Sequence, residues 1–202
     1  MSHEKLKKSD LIARALEVDI LRGTYGPGEK LRQSRIAESS GTSQVAVREA
    51  LMQLVGQGLA VSLPRRGICV APLDRSAVHE LKVMREALEP VALLHSVSHL
   101  TATQIAVAEA ARQECDAAGT VFEWEEANRS FHNAVIVGCG MPRLIAEVAR
   151  LQLLYARHVL TNHASRWRPH IDRDHGAIME AIRAKDAVRA AGVLRLHLGR
   201  LT

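Results

Sequence analysis

Gly41-Thr42-Ser43-Gln44-Val45-Ala46-Val47-Arg48-Glu49-Ala50-Leu51 reads as a short turn followed by a helix. Gly41 supplies the turn. The Ser43 hydroxyl is placed to accept a free backbone N–H at the helix start. Val47, Leu51 and Leu54 fall on one face with Ala50 beside them, while Gln44, Arg48 and Met52, four apart, point outward. A second short helix spans about residues 33–40, with Ile36 and Ala37 facing inward. Two short helices joined by a glycine-containing turn suggest a helix-turn-helix, whose second helix enters a DNA major groove. An ordinary αα-hairpin in a helical core has the same local pattern.

The next residues favour the first reading. Gly56-Gln57-Gly58 stops the helix, residues 59–63 alternate as a strand, Pro64-Arg65-Arg66-Gly67 turns, and residues 68–71 alternate again. A β-hairpin with two arginines at its tip, directly after a helix-turn-helix, is a wing suited to phosphates or the minor groove.

Here the chain resembles the GntR family of bacterial transcription regulators. The resemblance rests on Ile20 to Leu31, Val47-Arg48-Glu49-Ala50-Leu51, Gly58-Leu59 and Arg66-Gly67. Where relatives usually have Ser-Arg-Thr-Pro, this chain has Ser43-Gln44-Val45-Ala46. Arginine favours guanine and glutamine favours adenine, so the departure bears on which operator is read. The resemblance implies a double-stranded DNA operator met by Arg35, Ser43, Gln44, Val45, Arg48, Arg65, Arg66 and Gly67. Gln44 and Arg48 would touch bases, and Arg35, Arg65 and Arg66 phosphates or the minor groove. A homodimer on a pseudo-palindromic site is expected, because one recognition helix covers only a few base pairs.

The 202 residues are 47% hydrophobic, with formal net charge +5 and a pI near 9.4. That length allows one large or two small domains, and the charge is compatible with a polyanion partner. Cys69, Cys115 and Cys139 are odd in number and widely spaced, which fits neither a disulfide framework nor a zinc ribbon and suits a reducing cytoplasm. No signal peptide or membrane-length apolar run is visible, so a cytoplasmic protein is expected.

Residues 10–22 form an amphipathic helix with two apolar rows, Leu11, Ala15, Val18 and Ile12, Leu16, Ile20. Pro72-Leu73-Asp74-Arg75 is a linker, after which the pattern is helix upon helix. The expected architecture is mostly α. An N-terminal winged helix-turn-helix occupies 1–74, and a six-helix antiparallel bundle for effector binding and dimerisation occupies 75–202. Its helices are read at 76–97, 101–117, 121–137, 141–162, 170–184 and 186–201.

Ten histidines are many for this length. Asn128 and His132 share a helix face with Val135 and Ile136. His175 precedes Ile178, Met179 and Ile182 at helical spacing, and His197 shares a stripe with Leu194 and Leu201. Three helices thus each bring a histidine inward. A shared polar site is favoured over three separately satisfied core histidines, and bundle cores are natural places for imidazole-bound metals. His158, His163 and His170 are read mainly as surface residues.

Residues 76–202 resemble the FCD effector domain of the FadR branch, in its VanR-like subgroup. The matching residues are Asn128 to His132, Asp174-His175-Gly176-Ala177-Ile178 through Ala181-Ile182, and His197-Leu198. The resemblance implies a divalent metal, zinc first with nickel and manganese as alternatives, held by His132, His175 and His197, with Asn128 as a further ligand. Asn128 stands where aspartate is usual and brings no charge. Arg85 stands at a position that is usually an effector-cavity arginine, able to grip a small carboxylate. A surface salt bridge with Glu89, four residues on, is the plainer reading. The function implied is a ligand-responsive DNA-binding regulator that represses, and not an enzyme. A metal-dependent hydrolase is the alternative, since three histidines can activate water, but no carboxylate on those stripes is placed as a general base. A bundle that only dimerises is the third reading.

Overall fold

The computed structural model describes residues 7–162, 164 and 166–200, and the chain divides between Asp74 and Arg75 into two compact units. His163 and Leu201 lie outside the described residues.

In the first unit α1 (Lys8–Leu21) and α2 (Gln33–Ser39) both pack on α3 (Gln44–Gln57). Only one of the two apolar rows expected in α1 is buried, through Ile12, Leu16 and Ile20. Leu11 is 53% exposed, Ala15 is exposed and Val18 half-buried. The two rows are about 100° apart around the helix, and a single supporting helix covers just one of them. In α3, Val47, Ala50, Leu51 and Leu54 are buried as the spacing requires, and Ser43 Oγ accepts from Ala46 N at 3.3 Å. This helix runs past Gly56 to Gln57 and ends at Gly58, whose φ of 83° closes the last carbonyls. A left-handed φ at this helix end favours glycine.

Strands β1 (Ala60–Leu63) and β2 (Gly67–Val70) pair antiparallel, with Ala60 opposite Val70 and Leu63 opposite Gly67. Arg66 N bonds Leu63 O at 3.2 Å, and Arg65 at the tip holds a φ of 63°. A third strand segment was not foreseen. Gly28 N bonds Val70 O (3.0 Å), Val70 N bonds Glu29 O (2.8 Å) and Leu31 N bonds Ile68 O (2.9 Å), so residues 28–31 pair with β2. Pro27 and Gly28 form a turn, as the glycines suggest, but Glu29-Lys30-Leu31 carries no strand-like alternation, and tertiary pairing alone sets it beside β2.

The second unit comprises α4 (Arg75–Ser96), α5 (Ala102–Ala117), α6 (Val121–Ile136), a single 3-10 turn (Val137–Cys139), α7 (Pro142–Asn162), α8 (Arg173–Arg183) and α9 (Ala187–Arg200). All six helices occur within three residues of the positions read from periodicity. Capping boxes set two starts, Thr101 with Gln104 and Thr120 with Glu123, and Asp172 caps α8. Helix α4 packs on α7 and α9, α5 on α6, and α8 on α9, around Leu93, Phe131, Ile136, Ile178, Met179, Ile182, Leu194 and Leu198. Cys69, Cys115 and Cys139 are buried free thiols, and burial pushes Cys115 up to about 12, so it is inert at neutral pH. Among the described residues no helix is long and apolar enough to cross a membrane.

Gly138 ties the 3-10 turn to the end of α4. Its N–H donates to Ser96 Oγ at 3.0 Å, and a Cβ there would lie 2.8 Å from Ser96 O and 3.2 Å from Leu100 N. Backbone atoms cannot swing aside, so Gly138→Ala should lower unfolding stability by about 1–3 kcal/mol. Urea unfolding measures this, and a stability equal to the unaltered chain would show that α4 is free to shift.

Candidate metal centre and nucleic-acid face

Helix α6 carries Asn128 and His132 inward, α8 carries His175, and α9 carries His197. All four are buried. The ring centroids are 5.4 Å apart for His132–His175, 5.4 Å for His132–His197 and 4.8 Å for His175–His197. One ring nitrogen from each lies within 4.8 Å of the other two. The shared site anticipated from three separate helices is therefore real geometry, and Phe131 backs it with its ring centroid 4.2 Å from that of His175.

Helix α4 supplies the support. Arg85 Nε donates to Glu89 Oε1 at 2.7 Å, and His132 Nδ1 meets Glu89 Oε2 at 2.8 Å. The Arg85–Glu89 pair, the plainer alternative to an effector-gripping arginine, exists, but it is not at the surface: Arg85 is 4% exposed and Glu89 0%. Burial by itself would raise the Glu89 carboxyl, yet the Arg85 charge and then His132 hold it down at about 2. With Nδ1 engaged by that carboxylate, His132 presents Nε2 as its free nitrogen. The Arg85 guanidinium also sits 4.8 Å from the centre of the Tyr155 ring.

The nitrogens at the centre are ready to bind. His132 Nε2, His197 Nε2, both nitrogens of His175 and Asn128 Oδ1 are buried without a hydrogen-bond partner. Such groups each cost about 1–3 kcal/mol when left unmade. Burial, then the neighbouring histidines, pushes His175 well below its ordinary range. Burial and His132 bring His197 to about 4 against the pull of Asp172 and Asp174. Both are therefore neutral at pH 7, the form that ligates metal. Converging, unpartnered, neutral imidazoles fit a divalent ion.

Two acids beside the histidines were not among the expected site residues, although Asp174 stands in the matched motif. Asp172 Oδ1 caps α8 by accepting from Asp174 N (2.9 Å) and His175 N (3.2 Å). Its Oδ2 lies 3.6 Å from His175 Nε2 and 3.7 Å from His197 Nδ1. Asp174 Oδ2 lies 3.5 Å from His197 Nδ1, and Arg200 Nη1 reaches both Asp174 oxygens at 2.9 and 2.7 Å. The signal available was the N-cap spacing, since a residue three before His175 shares its side of the helix.

Two spaces flank the histidines. A cavity of about 590 Å³ is lined by Trp124, Tyr155, Trp167, Arg168, His197 and Arg200, among others. A cleft of about 10 Å³ lies against Arg85, Asn128, His132, Gln152 and Tyr155. Trp124, Tyr155 and Val159 border both. His170, read as surface, is exposed and borders the larger cavity.

In the first unit Arg35, Ser43, Gln44, Val45, Arg48, Arg65, Arg66 and Gly67 are all exposed. Val45 is 69% exposed although it is apolar and stands in the first turn of α3.

Residues 8–70 match the family model for bacterial regulatory proteins of the gntR family, and residues 80–200 match the FCD domain. The chain is 28% identical over 199 residues to the HTH-type transcriptional repressor GlaR of Escherichia coli K12, covering 92% of this chain and 90% of that protein. It is 30% identical over 198 residues to the uncharacterized HTH-type transcriptional regulator BphR of Paraburkholderia xenovorans LB400, covering 91% of this chain and 79% of that protein. Its fold resembles E. coli McbR/YncC with TM-score 0.83 at 22% identity, covering 97% of this chain and 95% of that one. These relatives are transcriptional regulators, which decides against the hydrolase reading. A gntR-type DNA-binding segment followed by an FCD domain, both matched along a chain with these relatives, places this protein in the GntR family of bacterial transcriptional regulators.

Proposed function

We propose that this protein is a homodimeric, cytoplasmic repressor that binds a specific operator and answers to a small organic acid held in its metal-containing bundle. The observation that carries the ligand half is the set of buried, unpartnered nitrogens of His132, His175 and His197 facing one another. Zinc is the first candidate, with nickel and manganese as alternatives, and Asn128 Oδ1 is a further donor. The bound ion supplies a Lewis-acid centre for a carboxylate. The chain's own residues do the rest. Glu89 orients His132, Arg85, paired with Glu89, borders the small cleft beside Asn128 and His132, and the 590 Å³ cavity admits the ligand beside His197. Repression is supported by the likeness to the repressor GlaR, at 28% identity.

Operator reading rests on the exposed first turns of α3. Gln44 and Arg48 are one turn apart, and Val45 beside them offers an apolar surface for a thymine methyl. The arginines at the hairpin tip, with Arg35, serve phosphates or the minor groove. An effector that prefers one dimer arrangement acts through the linker at residues 72–75, and a coupling of about 1–3 kcal/mol changes operator affinity roughly 5- to 150-fold.

Arg48→Ala tests the reading. Against an operator recovered by selection from genomic fragments, it should lose about 1–3 kcal/mol of binding while affinity for random DNA holds. Equal losses on both would move Arg48 from base reading to a backbone contact, and no sequence preference in the unaltered chain would overturn the function.

A further inference from the structure

We propose that Asp172 is the anionic ligand of this metal centre, supplying the charge that Asn128 cannot. The inference rests on the metal reading above and deepens it. A divalent ion among three neutral imidazoles and an amide would bury two positive charges with no anionic protein ligand, a cost that a carboxylate at the ion lowers. The Arg85–Glu89 pair sums to zero and offers no relief.

The neighbouring acids narrow to one. Glu89 has both oxygens engaged, one by Arg85 and one by His132. Glu125 is buried and bonded to Arg129 at 2.9 Å. Asp174 has both oxygens on Arg200. Asp172 differs: its two backbone bonds at the helix start use Oδ1 alone, and Oδ2 is turned towards two of the histidines. One of these, His175, is 0% exposed with both ring nitrogens unpartnered. Tetrahedral bonds of about 2.0–2.2 Å place neighbouring ligand atoms roughly 3.3–3.6 Å apart. Asp172 Oδ2 stands 3.6 Å from His175 Nε2, one such edge, while its 3.7 Å approach to His197 is to Nδ1, across the ring from the unpartnered Nε2. The N-cap bonds on Oδ1 hold the carboxylate rigid, so little side-chain freedom is lost when Oδ2 takes the ion. With Asp172 the centre keeps one positive charge, which a single carboxylate on the effector neutralises. This favours monocarboxylate contact at the ion over a neutral ligand.

The test is zinc affinity of the full-length chain by competition with a chromophoric chelator, with cobalt substitution as a second readout. D172N keeps an N-cap acceptor on Oδ1 and removes the charge. It should weaken zinc 10- to 100-fold and change the visible spectrum of the cobalt form, while urea unfolding of the metal-free protein is unchanged. D172S, whose hydroxyl also caps a helix but cannot reach the ion, should weaken zinc as much. N128D added to D172N should restore affinity by returning a carboxylate from α6. Unaltered zinc affinity in both D172N and D172S overturns the role of Asp172 and leaves the three-histidine site standing. Failure of the unaltered chain to bind zinc, nickel or manganese overturns the metal reading itself.

Discussion

A His132→Ala, His175→Ala double variant should purify without the divalent ion that the unaltered chain is expected to hold at about one per chain. The two histidines come from different helices, and with His197 they present the buried nitrogens that have no other partner. Removing two ligands of three leaves His197 and weaker oxygen donors. Elemental analysis after purification without a nickel column reads the result, and a metal content equal to the unaltered chain would sink the assignment. The loss also shows as stability. At a free metal concentration 100 times its Kd, binding adds about 2.7 kcal/mol to the folded state. Added zinc should therefore raise the unfolding midpoint of the unaltered chain and leave the double variant where it was. The metal-free double variant need not be weaker, because it no longer buries unsatisfied imidazoles.

Glu89→Ala is expected to be the most damaging single substitution in the second unit. It leaves the Arg85 guanidinium, 4% exposed, without its counter-charge and frees Nδ1 of His132. Breaking one side of a buried pair costs about 3–5 kcal/mol. Arg85→Met in the same chain should return much of that loss, because an apolar pair leaves no charge behind. If Glu89→Ala alone unfolds in urea like the unaltered chain, water reaches Arg85 and the pair is not desolvated.

Acid should expose the same group. The Glu89 carboxyl is lowered from 4.5 in the unfolded chain to about 2 when folded. Its contribution is therefore complete above pH 4.5 and is lost as pH falls from 4.5 towards 2. His197, lowered from 6.5 to about 4, takes up its proton first in the unfolded state. Metal-free protein thus also loses stability between pH 6.5 and 4, and His175 acts in the same direction. The raised Glu125 carboxyl opposes this just above pH 4.5. Glu89→Ala should keep the decline that begins near pH 6.5 and lose the one below 4.5. A variant that retains the lower decline would place its origin in other carboxylates.

Much of the fold was legible residue by residue. Ser43, Thr101 and Thr120 are N-caps whose bonds close within three residues, so the chain announces those starts locally. The buried rows of α3 and α8 follow from a repeat of 3.6 residues. The inward histidines were legible in the same way, because Asn128, His132, His175 and His197 share stripes with core residues. In α1 the same method failed for Leu11 and Ala15, since periodicity finds an apolar face but not whether a partner covers it.

By itself, then, the sequence determined the elements, their caps, the inward faces and the family motifs, all of which are set by neighbours a turn or two apart. Only the tertiary structure decided which of those faces meet. Glu89 joins His132 across 43 positions, Lys30 bridges Cys69, and Asp172 turns its spare oxygen onto His197 of another helix. The physical reason is that such contacts depend on how helices pack and on which acceptor is already used. Neither leaves a periodic trace, and so a glutamate that reads as half of a surface pair became the buried support of His132.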